Sequence, residues 1–187
     1  MQGFIGVKNM AKNFLIIETS DHDSFVALHL TDGELKVVFL PFPSTPSQTL
    51  LSAVKTLLTH QTIDFIAIGT GPGLFTGTRV GVMTAKSLAF ARALPLVPFC
   101  SLKRFIPTVD GSFTIVTKSK TRGCYVLKGV KRGMECLFEN LCLQKNFVKV
   151  EKSILNLSML KHLLLKSFLM GEGMSHDEVQ IHYLHPL

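Results

Sequence analysis

Several features are missing from this sequence, and each absence removes a class of function. No apolar run approaches the roughly 20 residues that a membrane-spanning helix needs, and no membrane association is expected. Phe14-Leu15-Ile16-Ile17 is too short for a signal-peptide core and runs into Glu18. The four cysteines, Cys100, Cys124, Cys136 and Cys142, show no C-x-x-C spacing. They read as reduced, at least partly buried thiols of a cytoplasmic protein. Both common phosphate loops are absent. A P-loop needs Gly-Lys-Ser/Thr after four spacers, but Gly77 is followed by Thr78-Arg79. The dinucleotide pattern G-x-G-x-x-G fails because Leu74 and Thr76 stand where its last glycine would fall. No two of the seven histidines are four apart, the helical spacing at which two can share a metal. No Ser-His-Asp set can be assigned. Acidic residues are few, 13 against 20 Lys and Arg, which leaves a net charge of +7.

What is present is organised around Gly69 to Gly81, a stretch that holds five of the fourteen glycines. The apolar run Asp64-Phe65-Ile66-Ala67-Ile68 before it reads as a buried strand. Val80 to Leu94 after it has helical composition. A glycine loop between strand and helix can offer backbone N–H groups to an anion. Gly77, Gly81, Ala85, Ala89 and Ala93 are spaced four apart. Such residues share one helix face, and a face without side chains lets another backbone come close. Two readings stand: the ridge packs on this protein's own sheet or neighbouring helix, or it meets a partner chain. Val80, Met83 and Leu88 are expected to anchor the helix to the core.

The 187 residues, 47% of them hydrophobic, suffice for one large domain or two small ones. Residues 1–12 show no period and read as a disordered extension, with Met10-Ala11-Lys12 as an alternative start. Asn13–Thr19, Ser24–Leu30 and Leu35–Leu40 read as three strands, the last two joined by the hairpin signal Asp32-Gly33. Thr45-Pro46 fits a helix N-cap followed by proline. Leu50, Leu51, Val54, Leu57 and Leu58 then follow at helical spacing. The buried strand, the ridge helix and a strand at Leu96–Phe99 complete the order βββαβαβ, that of a ribonuclease-H-like half. Further on, Phe113–Thr117, Cys124–Leu127 and Phe147–Val150 read as strands, and Ser153–Met170 as a helix. This is expected to be a reduced second subdomain of the same kind, 106–187, beside a first at 13–105.

Charge is lopsided. Residues 1–100 carry seven Lys and Arg against six acids, and residues 101–187 carry thirteen against seven. Lys118, Lys120, Arg122, Lys128, Lys131 and Arg132 fall in one stretch without an acid. It can contact nucleic-acid phosphates, or it is a solvated sheet edge whose lysines discourage strand addition. Only Tyr125 supplies an aromatic there.

Gly71-Pro72-Gly73-Leu74-Phe75-Thr76-Gly77-Thr78-Arg79-Val80-Gly81, then Ala85-Lys86-Ser87-Leu88-Ala89, Pro95-Leu96-Val97-Pro98 and Ser101-Leu102 resemble the TsaB (YeaZ) family. Leu74 replaces the family's usual serine and Ser87 its usual glycine. The resemblance is close over about 13–105 and weaker beyond. Lys120-Thr121-Arg122 stands for the family's Asp-Ala-Arg, while Val179 to Leu184 is similar to its close. It implies an α/β, actin/hexokinase-like (ribonuclease-H-like, ASKHA) fold of two subdomains with mixed central sheets. It also implies a non-catalytic scaffold that activates a TsaD-like catalytic subunit in making threonylcarbamoyladenosine in tRNA, with no cofactor. A TsaE-like ATPase is a further candidate partner, tRNA is reached through the complex, and homodimerisation is the alternative for the isolated chain. The partner interface is expected on Gly77, Gly81, Ala85, Ala89, Ala93, Leu50 and Val54. Glu18, Thr19 and Ser20 with Gly71, Gly73 and Thr76 are expected to be degenerate nucleotide loops, Glu18 standing where the wider fold keeps an aspartate near magnesium. The metal-binding histidines of TsaD-type proteins fall at Ser101 and Phe105, so no metal is expected. His182 and His185, beside Pro186, read as surface residues. The rival reading is an ASKHA-type ATPase, or a glycoprotease-like metallopeptidase, acting alone.

Overall fold

A computed structural model of the chain describes residues 12–41, 46–119, 123–145 and 154–181. The first sheet follows from three runs of five consecutive apolar or nearly apolar residues. These are β1 (Phe14–Glu18), β2 (Phe25–His29) and β4 (Phe65–Gly69), buried along their whole length. Strands buried on both faces read as continuous apolar runs. With β3 (Leu35–Phe39) and β5 (Leu96–Phe99) they form a five-stranded sheet of order β3-β2-β1-β4-β5. The β1–β2 and β2–β3 pairs are antiparallel, and β1–β4 and β4–β5 are parallel.

The alternation of side chains divides this sheet's contacts between two layers. Leu15, Ile17, Ile66 and Ile68 point to α1 (Pro46–Leu58) and α2 (Phe75–Arg92). Phe14, Ile16, Phe65 and Ala67 point the other way, onto Leu160 and Leu164 of α3 (Leu157–Leu169). Phe14 stacks on Phe65 at 4.5 Å between ring centroids, and Phe65 on Phe168 at 4.2 Å. The order βββαβαβ is as read from the sequence.

Several expectations are corrected. The ridge helix starts at Phe75 rather than Val80, so the loop proper is Thr70–Leu74. Gly77, Gly81, Ala85 and Ala89 are buried against this protein's own sheet. A Cβ on Gly77 would lie 2.1 Å from the Thr19 carbonyl oxygen, and one on Gly81 would lie 2.1 Å from Thr19 Oγ1. Leu50 and Val54 belong to the same core. The face expected to meet a partner is thus internal, except for Ala93, the exposed left-handed cap that ends α2. Met83, expected in the core, is 61% exposed. Lys12, placed in the extension, is tied down: its Nζ lies 3.1 Å from Asp64 Oδ1. Residues 1–11 lie outside the described residues.

The second sheet contains β6 (Gly111–Ser119), β7 (Gly123–Arg132), β8 (Glu135–Phe138) and β9 (Cys142–Gln144). β6 pairs along its whole length with Gly123–Lys131 of β7, whose other edge takes β9 near its start and β8 near its end. Every pair is antiparallel, so this sheet is not mixed as expected. Among the described residues no helix stands between these strands to carry a parallel crossover. The sequence reading missed β8 and β9. The strand expected at Phe147–Val150 lies outside the described residues, as does the N-cap expected at Thr45. The first sheet falls within residues 14–99 and the second within 111–144, but the elements that follow return to the first. α3 covers the first sheet, Met174 bridges Leu96 on the edge strand, and Val179 joins the core under α1 and α2.

Candidate functional site

The ends of β1, β4 and β5 meet at a polar cluster. Glu18, Thr19 and Ser20 leave β1; Gly69 to Leu74 leave β4; the 3-10 turn Ser101–Phe105 follows β5. Glu18, Thr19, Ser20, Thr70, Ser101 and Arg104 are all buried. Burying a carboxylate requires a partner, and the partner is Arg104. Its Nη1 lies 3.2 Å from Glu18 Oε1 and donates to Ser20 Oγ at 3.0 Å, while Nη2 donates to Asp21 Oδ2 at 3.0 Å. The Ser20 amide also donates to Glu18 Oε1, at 2.7 Å. Among the described residues, Glu18 Oε2 and Arg104 Nε are buried without a hydrogen-bond partner. Oε2 lies over Gly69, where a Cβ would come within 2.1 Å of it.

The glycine loop is held from two sides. Ser101 accepts the Gly71 amide through its hydroxyl at 3.0 Å and donates its own amide to the Gly71 carbonyl at 2.8 Å. The Leu74 amide donates to the Ser20 carbonyl, and Thr19 Oγ1 donates to the Gly77 carbonyl at 2.8 Å. Gly73 closes over Ser20, where a Cβ would meet the carbonyl oxygen at 2.1 Å. Thr76 is exposed on the first turn of α2. Of the residues expected as degenerate nucleotide loops, Glu18, Thr19, Ser20 and Gly71 are brought together and bonded to one another, to α2, to Ser101 or to Arg104, with Gly73 packed on Ser20, while Thr76 stands apart. Nearby, burial pushes the Cys100 thiol pKa up.

Nor do the positions matching TsaD-type metal ligands fit a metal. Phe105 is core, packed with Ile115, Leu127 and Met159, and the Ser101 hydroxyl is engaged with Gly71. Among the described residues no group of three His, Cys, Asp or Glu could hold a metal ion. His182 and His185 lie outside them. Among the same residues no helix is long and apolar enough to cross a membrane.

The basic stretch divides. Lys131 is buried: its Nζ pairs with Asp110 Oδ1 at 2.6 Å and donates to the Thr108 carbonyl. The same contact lowers the Asp110 pKa. Lys131 is therefore removed from the expected tRNA contacts. Lys118, Lys128 and Arg132 are exposed. Their β6–β7 register puts them on one sheet face. Lys120 and Arg122 lie outside the described residues.

Opposite its buried ridge, α2 presents Phe75, Arg79, Met83, Lys86 and Phe90 at steps of three and four. Phe75, Met83 and Phe90 are 57%, 61% and 71% exposed, and Leu51 on neighbouring α1 is 57% exposed. Arg79 lies over the Phe75 ring at 3.6 Å. Sequence reading singled out neither this stripe nor Arg104. The stripe was legible in its own spacing, once the glycine ridge is taken as the buried side.

A mixed five-stranded sheet with helices on both faces and a second sheet after it defines an α/β protein of the actin/hexokinase-like class. The solved structure of YeaZ from Pseudomonas aeruginosa shares the fold, with a TM-score of 0.80 over 92% of this chain and 99% of that one, at 21% identity. The family model of TsaD, tRNA N6-adenosine threonylcarbamoyltransferase, matches residues 47–156, more than half of the chain. The chain belongs to this family, as a TsaB/YeaZ-type member. The tRNA threonylcarbamoyladenosine biosynthesis protein TsaB of Escherichia coli K12 is 34% identical over 93 residues, 47% of this chain and 40% of that protein. The Haemophilus influenzae protein of the same name is also 34% identical, covering 47% of this chain and 39% of its own length. The matched region thus spans about two fifths of these relatives. That name assigns these relatives to tRNA threonylcarbamoyladenosine biosynthesis.

Proposed function

We propose that this chain is a non-catalytic subunit that docks a TsaD-like catalytic subunit and supports threonylcarbamoyl transfer to tRNA in the cytoplasm. The observation that carries the reading is the apolar stripe Phe75, Met83 and Phe90 on α2, continued by Leu51 on α1. Aromatic residues, Met and Arg are enriched at protein interfaces, and this stripe combines them. On this reading the interface lies on the outward side of the two helices first expected to carry it. Glu18 supports the non-catalytic part, because its one paired oxygen faces a guanidinium and a backbone amide. Lys118, Lys128 and Arg132 are the proposed tRNA contacts within the complex, and a TsaE-like ATPase is a further partner. When alone, the chain dimerises through the same stripe.

Met83→Glu with Phe90→Glu tests the reading. Both side chains are exposed, so the melting temperature should stay within about 2 °C of wild type, since surface substitutions cost little. Interface anchors are worth about 2 kcal/mol or more each, so affinity for a TsaD homologue should fall at least ~100-fold. Binding retained at wild-type strength in a pull-down would reject the stripe as the docking face.

A further inference from the structure

α2 begins without the device that usually starts a helix. Its N-cap is Leu74, whose apolar side chain makes no capping hydrogen bond. The start is held instead by the turn after β1. The Leu74 amide donates to the Ser20 carbonyl. Thr19 Oγ1 donates to the Gly77 carbonyl, and the glycines at 73 and 77 let the helix sit directly on Ser20 and Thr19. That turn has local bonds, from the Ser20 amide to Glu18 Oε1 and from the Ser24 hydroxyl to the Asp21 carbonyl, and one hold from a distant part of the chain. Arg104 reaches Glu18, Ser20 and Asp21 with its two terminal nitrogens. Arg104 is itself fixed: it is 2% exposed, its guanidinium lies over the Phe105 ring at 4.5 Å, and its carbonyl accepts the Asn156 amide at 2.7 Å. A planar, always charged fork suits such a three-way hold, where a lysine ammonium would not.

We infer that Arg104 is the positioning residue of the docking face. Through the turn 19–21 it sets the first turn of α2, and so the placement of Phe75 and Arg79 at the head of the exposed stripe. This rests on the functional reading above, and it adds a residue that touches no partner. Without Arg104 the buried Glu18 carboxylate loses its counter-charge. The turn is then free to move, and the uncapped start of α2 frays with it, while α1, the sheet and the rest of α2 keep their own packing.

The experiment measures amide hydrogen exchange on the isolated protein, together with binding to a TsaD homologue, for Arg104→Met, Arg104→Lys and Ser20→Ala. For Arg104→Met, exchange should rise at least tenfold at residues 19–21 and 74–79. Residues 14–17 and 65–68 in the sheet should exchange at the wild-type rate. Affinity for the homologue should fall at least tenfold. Arg104→Lys keeps a positive charge and should recover part of both losses. Ser20→Ala removes one bond of the hold and should show the same local pattern more weakly; it decides the matter if Arg104→Met does not fold. Faster exchange spread evenly through the sheet, or wild-type exchange at 74–79, would overturn the inference. If the wild-type chain binds no TsaD homologue, the functional reading fails, and the exchange at 74–79 still decides whether Arg104 holds the helix start.

Discussion

His29 ends β2 with its ring buried, 7% exposed, and stacked on Phe14 at 4.8 Å. Its Nδ1 lies 3.1 Å from the Lys12 carbonyl, which can only accept, so Nδ1 carries the proton. Burial lowers the His29 pKa below 6.5; the bond to Lys12 opposes that shift, Lys161 adds to it and Asp32 opposes it. The unfolded chain therefore takes up this proton first as pH falls. Stability associated with neutral His29 is present above about pH 6.5 and is lost below it, down to the lower pKa of the folded state. His29→Gln should flatten the fall in melting temperature between pH 7 and pH 5. An unchanged pH profile would show that His29 does not titrate on unfolding. Single residues of this kind were the least legible part of the sequence. Arg104 lies more than eighty positions from the carboxylates it holds, and nothing in Ser-Leu-Lys-Arg-Phe announces a buried charge. Lys131 looked like its exposed neighbours because strand parity, not composition, turns it inward onto Asp110.

α2 shows how far periodicity carries. Spacing alone identified a ridge of small residues and showed that something must approach it closely. It did not say what, because a helix face and its occupant are separate facts. The occupant is the end of β1, and the glycines are required where Thr19 lies beneath them. Replacing Ala85 and Ala89 by Leu is therefore a test of folding rather than of association. Ala85 is 0% and Ala89 1% exposed. Overpacking costs about 1–3 kcal/mol at each site, and a protein of this size loses roughly 2–4 °C of Tm per kcal/mol. A melt at the wild-type temperature would contradict the burial of the ridge. The short strands β8 and β9 carried too few residues for any period to show. α3 was legible as a helix, but its apolar side named no partner.

The whole molecule is arranged differently from its sequence order. The first five strands and two helices were readable in advance because each is a run long enough to display its period. The return of α3 to the first sheet depends on a face bared by Phe14, Ile16, Phe65 and Ala67, which only the assembled sheet defines. That layering has a consequence during synthesis. The five-stranded sheet is complete in sequence at Phe99, yet the helix that covers one of its faces begins only at Leu157. A growing chain must carry an aromatic, unshielded sheet surface while more than fifty further residues are added, including the entire second sheet. Chains ended after Asn156 should therefore aggregate or be captured by chaperones, even though every strand of the first sheet is present. Supplying residues 154–181 as a separate peptide should restore solubility. If the truncated chain instead stays soluble and monomeric without the peptide, α3 is dispensable as the cover of that face.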